Sequence, residues 1–131
     1  MASIKKNPID EAKRYMDNAR EILSTKAKKD GDYYSDPKYV KMAGNTAWNG
    51  VLVALDGVLN VKKAGTRKDF DDYKSAVYKK DKKMTRPLQS AYEALHLHLG
   101  YDGTLRYKVV QDGLEQGRDM INWAAKYYKQ Q

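Results

Sequence analysis

Cysteine is absent from this 131-residue chain, proline occurs three times, phenylalanine once and histidine twice. The missing thiols exclude disulfides, thiolate nucleophiles and Cys-ligated metals. His96 and His98 are the whole stock for imidazole chemistry. No apolar run is long enough to span a bilayer. The opening stretch MASIKKNPIDEAKRYM has lysines with no apolar run behind them, so it reads as neither a secretory signal nor a membrane anchor. The default expectation is a cytoplasmic protein without membrane partners. Sustained period-two alternation, a proline- or serine-rich linker, internal repeats, a Gly-rich phosphate loop and a nucleophile-elbow serine are missing as well. These absences leave a helical chain with no β-sheet and no cofactor motif.

What is present centres on Asp36 to Val61. Read as a helix, this stretch lines up Ala43, Ala47, Gly50, Ala54 and Gly57 at three- and four-residue steps, a seam of small side chains where a second helix can approach closely. Val40, Trp48, Val51, Leu55, Val58 and Leu59 widen the seam into an apolar face covering more than half the circumference. Such a helix is the central one of a bundle. At 131 residues and 41% hydrophobic content the chain is most simply one domain, residues 1–131, with a core of its own.

Cap chemistry places the other elements. Asn7-Pro8 with Asp10 and Glu11 starts the first helix, which carries Ile9, Ala12, Met16, Ala19 and Leu23 on one face and ends before Asp30-Gly31. Asp36-Pro37 starts the second by the same means, and Ala64-Gly65 is the expected stop. Thr66 and Asp69 have capping-box spacing ahead of a polar third helix bearing Phe70, Tyr73 and Val77. Thr85, followed by Arg86-Pro87, reads as the cap of a fourth helix that places Leu88, Ala91, Tyr92, Leu95 and Leu99 together. After the turn Gly100-Tyr101-Asp102-Gly103, a long last helix is expected from about Thr104 to Tyr128. Helical glycines cost about 1 kcal/mol each relative to alanine. Gly50 and Gly57 in helix 2, and Gly113 and Gly117 in helix 5, therefore predict that the small seams of these two helices face each other. The fold class is an all-α, mainly up-and-down bundle of four principal helices and one shorter segment.

The formal net charge of +8 is unevenly placed. Residues 62–86 hold 10 basic and 4 acidic groups, whereas residues 87–131 balance at 5 and 5. Lys62, Lys63, Arg67, Lys68, Lys79, Lys80, Lys82 and Lys83 make this segment a candidate anion- or nucleic-acid-binding surface. The bland alternative is a set of solvated lysines around a helix connection. Clustering of the eight on one folded surface favours the first reading, and dispersal favours the second.

Catalytic and metal chemistry find little support. Two residues apart on a regular helix, His96 and His98 point about 160° from each other and cannot share a metal. Glu93 and His96 have the spacing of a carboxylate-metal motif, but in one copy only. Asp69, Asp71 and Asp72 sit among lysines on a polar face and read as solvated charges. An enzyme would need a concave pocket around one imidazole with a second ionisable group in reach. A different feature goes less explained by folding: Asn45, Asn49, Asp56 and Asn60 recur on one arc of helix 2, although asparagine is a poor helix former. The arc is either an indifferent solvated face or a hydrogen-bonding contact for a protein partner, a second copy of the chain or a ligand, with Met42 and Leu52 beside it.

Helix 1, the stretch YYSDPKYVKMAGNTAWNGVLVAL and the long last helix together resemble the HEPN-like class of small bacterial four-helix bundles. The resemblance implies the fold and dimerisation. Members of that class include RNA-cleaving toxins and binding subunits of nucleotidyltransferases. The ribonuclease members carry an Arg followed after four to six residues by a His. Here Arg86 precedes His96 by ten positions, and no histidine follows Arg106 or Arg118. The resemblance therefore carries no catalytic residue into this chain. The sequence points to a non-enzymatic binding or interaction module that self-associates as a dimer, with nucleic-acid or nucleotide binding through residues 62–86 as the alternative.

Overall fold

Asn7 caps the first helix: its Oδ1 accepts from the backbone N–H of Ile9 at 2.8 Å and of Asp10 at 3.3 Å. This is a computed structural model describing residues 7–128. Lys5 and Lys6, part of the opening stretch read above, lie outside the described residues. Helix α1 spans Pro8–Ile22, buries Ile9, Ala12, Met16 and Ala19, and runs directly into a wider π-helical turn, Leu23–Ala27. That turn closes on Lys28, whose N–H donates to the Leu23 carbonyl at 3.1 Å and whose φ is 56°.

A two-residue antiparallel pair follows, β1 (Lys29–Asp30) and β2 (Tyr33–Tyr34), with Lys29 opposite Tyr34. The sequence reading expected no sheet. Strands of two residues are too short to show alternation, and the glycine read as a helix stop, Gly31 at φ 63°, sits in the hairpin's two-residue loop. The all-α class is unaffected.

Helix α2 spans Pro37–Val58 with Asp36 as its cap, accepting from Lys38 N–H at 3.0 Å. It stops well short of the expected Ala64-Gly65: Leu59 turns to extended backbone, and Val61 folds back into the core at 8% exposure. Gly65, the expected stop, lies in open space on an irregular connection. Helix α3, Phe70–Lys80, has a capping box, but between Asp69 and Asp72 rather than Thr66 and Asp69. Asp69 Oδ1 accepts from Asp72 N–H at 3.1 Å and Asp72 Oδ2 accepts from Asp69 N–H at 3.0 Å. An acid at both positions closes the box as Glu would.

The restart expected at Thr85 occurs four residues earlier. Asp81 caps a single 3-10 turn, Lys82–Met84, and its Oδ2 also accepts from Trp123 Nε1 at 3.1 Å. Thr85 is thus the first residue of α4, Thr85–Ala91, with no capping side chain before it and its own hydroxyl buried without a partner. Helix α4 widens into a π-helical stretch, Tyr92–Leu99, and the two together bury Leu88, Ala91, Leu95 and Leu99. Helix α5 spans Tyr107–Tyr128, three residues later than Thr104.

The buried residues form one cluster in which α2 is central, packed most extensively on α1 and next on α5. Leu55, Leu88, Leu95, Leu99, Leu114, Met120 and Ile121 are fully buried, each stabilising the fold by about 1.5–3 kcal/mol. The glycine seams do not face each other as expected. Gly50 of α2 receives Tyr15 and Ala12 of α1, and Gly57 receives Pro8. Gly117 of α5 receives Leu95, with Met16 beside it. The seam of α2 is therefore the bed for α1.

Candidate anion-binding cleft

Where α2 gives way to the connection before α3, the two helices leave a cleft of about 480 Å³. Val58, Leu59 and Ala76 supply its apolar lining, and Asn60, Lys62, Ser75, Lys79 and Lys80 its polar one. On α3, Ser75, Ala76, Lys79 and Lys80 recur at three- to four-residue steps and so share a face, which adjoins the one that buries Tyr73 and Val77. Lys62 reaches the same cleft from the connection because α2 ends at Val58. Had the helix continued to Val61, Lys62 would have projected from its end.

Among the described residues, none of these three lysines takes part in an ion pair. Lys80 Nζ lies 4.7 Å from the Tyr127 ring centroid, a contact that leaves its charge uncompensated. The one lining acid, Asp72, is buried at 9% exposure and accepts from two backbone donors, Asp69 N–H at 3.0 Å and Ala64 N–H at 3.3 Å. Three cations against one carboxylate leave the lining positive by two charges. Lys79 and Lys80 also sit in the last turn of α3, where the helix dipole favours cations.

The remaining basic candidates divide. Lys68 turns away, its Nζ 2.8 Å from Asp56 Oδ1. Lys63, Arg67, Lys82 and Lys83 are exposed and do not line the cleft. The segment thus concentrates charge at three of its eight basic candidates.

The arc of α2 divides as well. Asn45 Nδ2 donates to the Gly100 carbonyl at 3.3 Å, tying α2 to the end of the π-helical stretch. Asp56 accepts from Tyr73 Oη at 3.0 Å through both carboxylate oxygens, in addition to Lys68. Burial, and next the hydrogen bond to Asp56, push the Tyr73 hydroxyl well above its ordinary range. Asn49 is exposed on the helix, and Asn60 lies beyond the helix end at the cleft. Two of the four residues are occupied within the fold, and one belongs to the cleft. Ser75 and Asp72 were not singled out as cleft residues in the sequence, since only the early end of α2 brings them opposite Lys62.

His96 is exposed and stacks on Tyr92 at 5.2 Å, and Tyr92 stacks in turn on Phe70 at 3.9 Å. His98 is exposed beside a shallow cleft of about 360 Å³ with Glu93 and Asp112 on its walls. Among the described residues no three His, Asp or Glu side chains come together to hold a metal ion, and no helix is long and apolar enough to cross a membrane.

A family model described as a domain of unknown function, DUF5618, matches residues 7–126. A solved protein of unknown function from Dyadobacter fermentans is similar at 43% sequence identity. It covers 91% of this chain and 93% of its own, with a TM-score of 0.81. No curated protein matches the chain.

Proposed function

The chain belongs to the DUF5618 family, and we propose that it is a non-enzymatic binding module whose ligand is a polyanion, the phosphate backbone of nucleic acid. The observation that carries this reading is the convergence of Lys62, Lys79 and Lys80 with Asn60 on one cleft, without acidic partners for the lysines among the described residues. Cations held near each other and left uncompensated attract phosphates and gain from the counterions that nucleic acid releases. Asn60 and Ser75 add neutral hydrogen-bonding groups for phosphate oxygens. The likeness to HEPN-like bundles fits a binder without RNA cleavage.

Fluorescence anisotropy with labelled single-stranded RNA and duplex DNA tests the reading. Two to three phosphate contacts predict that affinity falls roughly 10- to 40-fold between about 50 and 200 mM salt on duplex DNA. Changing Lys62, Lys79 and Lys80 together to glutamine removes the binding and its salt dependence. Binding that survives the triple substitution, or its absence at the lower salt, refutes the proposal.

A second reading, self-association as a dimer through the exposed part of the α2 arc, is favoured by Met42, which is 46% exposed on the same helix as the exposed Asn49. In both readings the protein acts by contact and carries out no reaction.

A further inference from the structure

Three irregular pieces of backbone meet at a second cleft, far along the chain from the basic one. The π-helical turn Leu23–Ala27, the left-handed Lys28 and the two-residue hairpin adjoin, and the hairpin is fastened to the start of α5. Tyr34 N–H donates to the Leu105 carbonyl at 2.7 Å and Tyr107 N–H to the Asp32 carbonyl at 2.9 Å. A π-helical turn and a non-glycine residue at positive φ are each unfavourable, and such features collect where a site needs a particular backbone path. Here they frame a cavity of about 360 Å³, within the range of small-ligand sites.

Its lining is chemically divided. Leu23 and Leu114, both buried, form an apolar floor, and Tyr34 and Tyr107 stand against each other with ring centroids 5.6 Å apart. Gln111 Nε2 donates to Tyr34 Oη at 2.9 Å, so the Tyr34 hydroxyl keeps its own proton to donate. Burial pushes that hydroxyl above its ordinary range and keeps it neutral. Arg20 and Lys29 bring two positive charges to the lining, which contains no carboxylate. Lys29 Nζ lies 4.0 Å from the Tyr107 ring centroid. Arg20 meets Asp17 only at 3.9 Å and in solvent, a contact too weak to occupy the guanidinium.

We infer that this cavity binds a small organic anion with a planar apolar body: the ring lies between the tyrosines and the leucine floor, and the anionic group meets Arg20 and Lys29. Carboxylate and phosphate monoester share this chemistry. The site is independent of the basic cleft.

Amide chemical shifts of the full chain, followed during titration with phenylacetate, phenyl phosphate, benzyl alcohol and inorganic phosphate, test the inference. Phenylacetate or phenyl phosphate is expected to shift the Leu23, Gln111 and Leu114 amides saturably, at on the order of 1 mM. Which of the two binds more tightly identifies the anionic group. Arg20→Gln, on the surface of α1, is expected to weaken binding about tenfold, whereas replacing Lys62, Lys79 and Lys80 leaves it unchanged. Three results overturn the inference: no saturable shift up to about 20 mM of either aromatic anion, equal shifts with benzyl alcohol or with inorganic phosphate, or unchanged affinity in the Arg20→Gln variant.

Discussion

Lys68 Nζ lies 2.8 Å from Asp56 Oδ1, and that contact joins one residue of the basic segment to one of the polar arc of α2. The same carboxylate accepts from the buried Tyr73 hydroxyl at 3.0 Å. Asp56 therefore fastens the irregular connection and α3 to α2. The two partners differ in what they lose when Asp56 is removed. Lys68 is 39% exposed and returns to water, whereas Tyr73 is left with an unpaired buried hydroxyl. Asp56→Ala is expected to lower stability by about 1–3 kcal/mol and Lys68→Gln by less than about 1 kcal/mol, read from urea unfolding. Equal losses in the two variants would mean that the ion pair, and not the tyrosine, is the stabilising contact.

Tyr73 also sets the behaviour of the fold at high pH. Its folded pKa is raised above the ordinary 10.0, by burial first and by Asp56 next. The folded state thus holds its proton where the unfolded chain has released it. The stability this contributes is complete below about pH 10 and declines as pH rises above that value. Tyr34 shifts in the same direction, by burial. Unfolding midpoints measured between about pH 9 and 11 should fall less steeply for Tyr73→Phe than for the unsubstituted chain. The comparison cancels the groups that the two proteins share. Parallel curves would show that the hydroxyl ionises alike in both states.

The sequence revealed most where the cause was local. Asn7-Pro8 and Asp36-Pro37 cap their helices because a side-chain acceptor and a proline need only their own backbone. The apolar face of α2 was legible for the same reason, since periodicity is carried by one element. Register between elements was not legible. The glycine seam of α2 fits either α1 or α5 as judged by residue size, and only the folded chain shows Tyr15 of α1 seated at Gly50. The end of α2 was misplaced because Gly65 is a plausible stop, whereas the observed end at Val58 is accompanied by Val61 turning inward. That early end decides the candidate site, since it brings Asn60 and Lys62 to the α3 face bearing Lys79 and Lys80. The second cleft was hidden because π-helical turns and two-residue strands have no sequence period to read.

Two glycines test the packing argument in opposite directions. A Cβ at Gly50 would lie 2.8 Å from Tyr15 Cβ and 3.0 Å from the Ala12 carbonyl oxygen, atoms that cannot rotate away. At Gly113 the nearest atom, Ala94 Cβ, is 3.4 Å off and the next are ordinary van der Waals neighbours. Alanine gains about 1 kcal/mol of helix propensity at either position. At Gly50 the overpacking, about 1–3 kcal/mol, outweighs that gain. Gly50→Ala is expected to lower the thermal midpoint and Gly113→Ala to raise it. A stabilised Gly50→Ala variant would show that α1 can move outward at little cost, and the close α1–α2 approach would lose its explanation.

The two asparagines of α2 separate folding from contact on its polar arc. Alanine at either position gains several tenths of a kcal/mol of helix propensity, about 0.6. Asn45 also loses its bond to the Gly100 carbonyl, worth about 0.5–1.5 kcal/mol, while the Asn49 side chain bonds to none of the described residues. Asn49→Ala should therefore be the more stable variant by about 1 kcal/mol in urea unfolding. Self-association is read separately, by sedimentation velocity over a range of concentrations. If the proposed dimer forms through this face, Asn49→Ala combined with Met42→Glu keeps the fold and shifts the protein toward monomer, because a charge has replaced an exposed thioether at the contact. A sedimentation profile unchanged by the pair of substitutions rules out this face as the dimer contact, and Asn49 is then a solvated residue whose identity folding does not constrain.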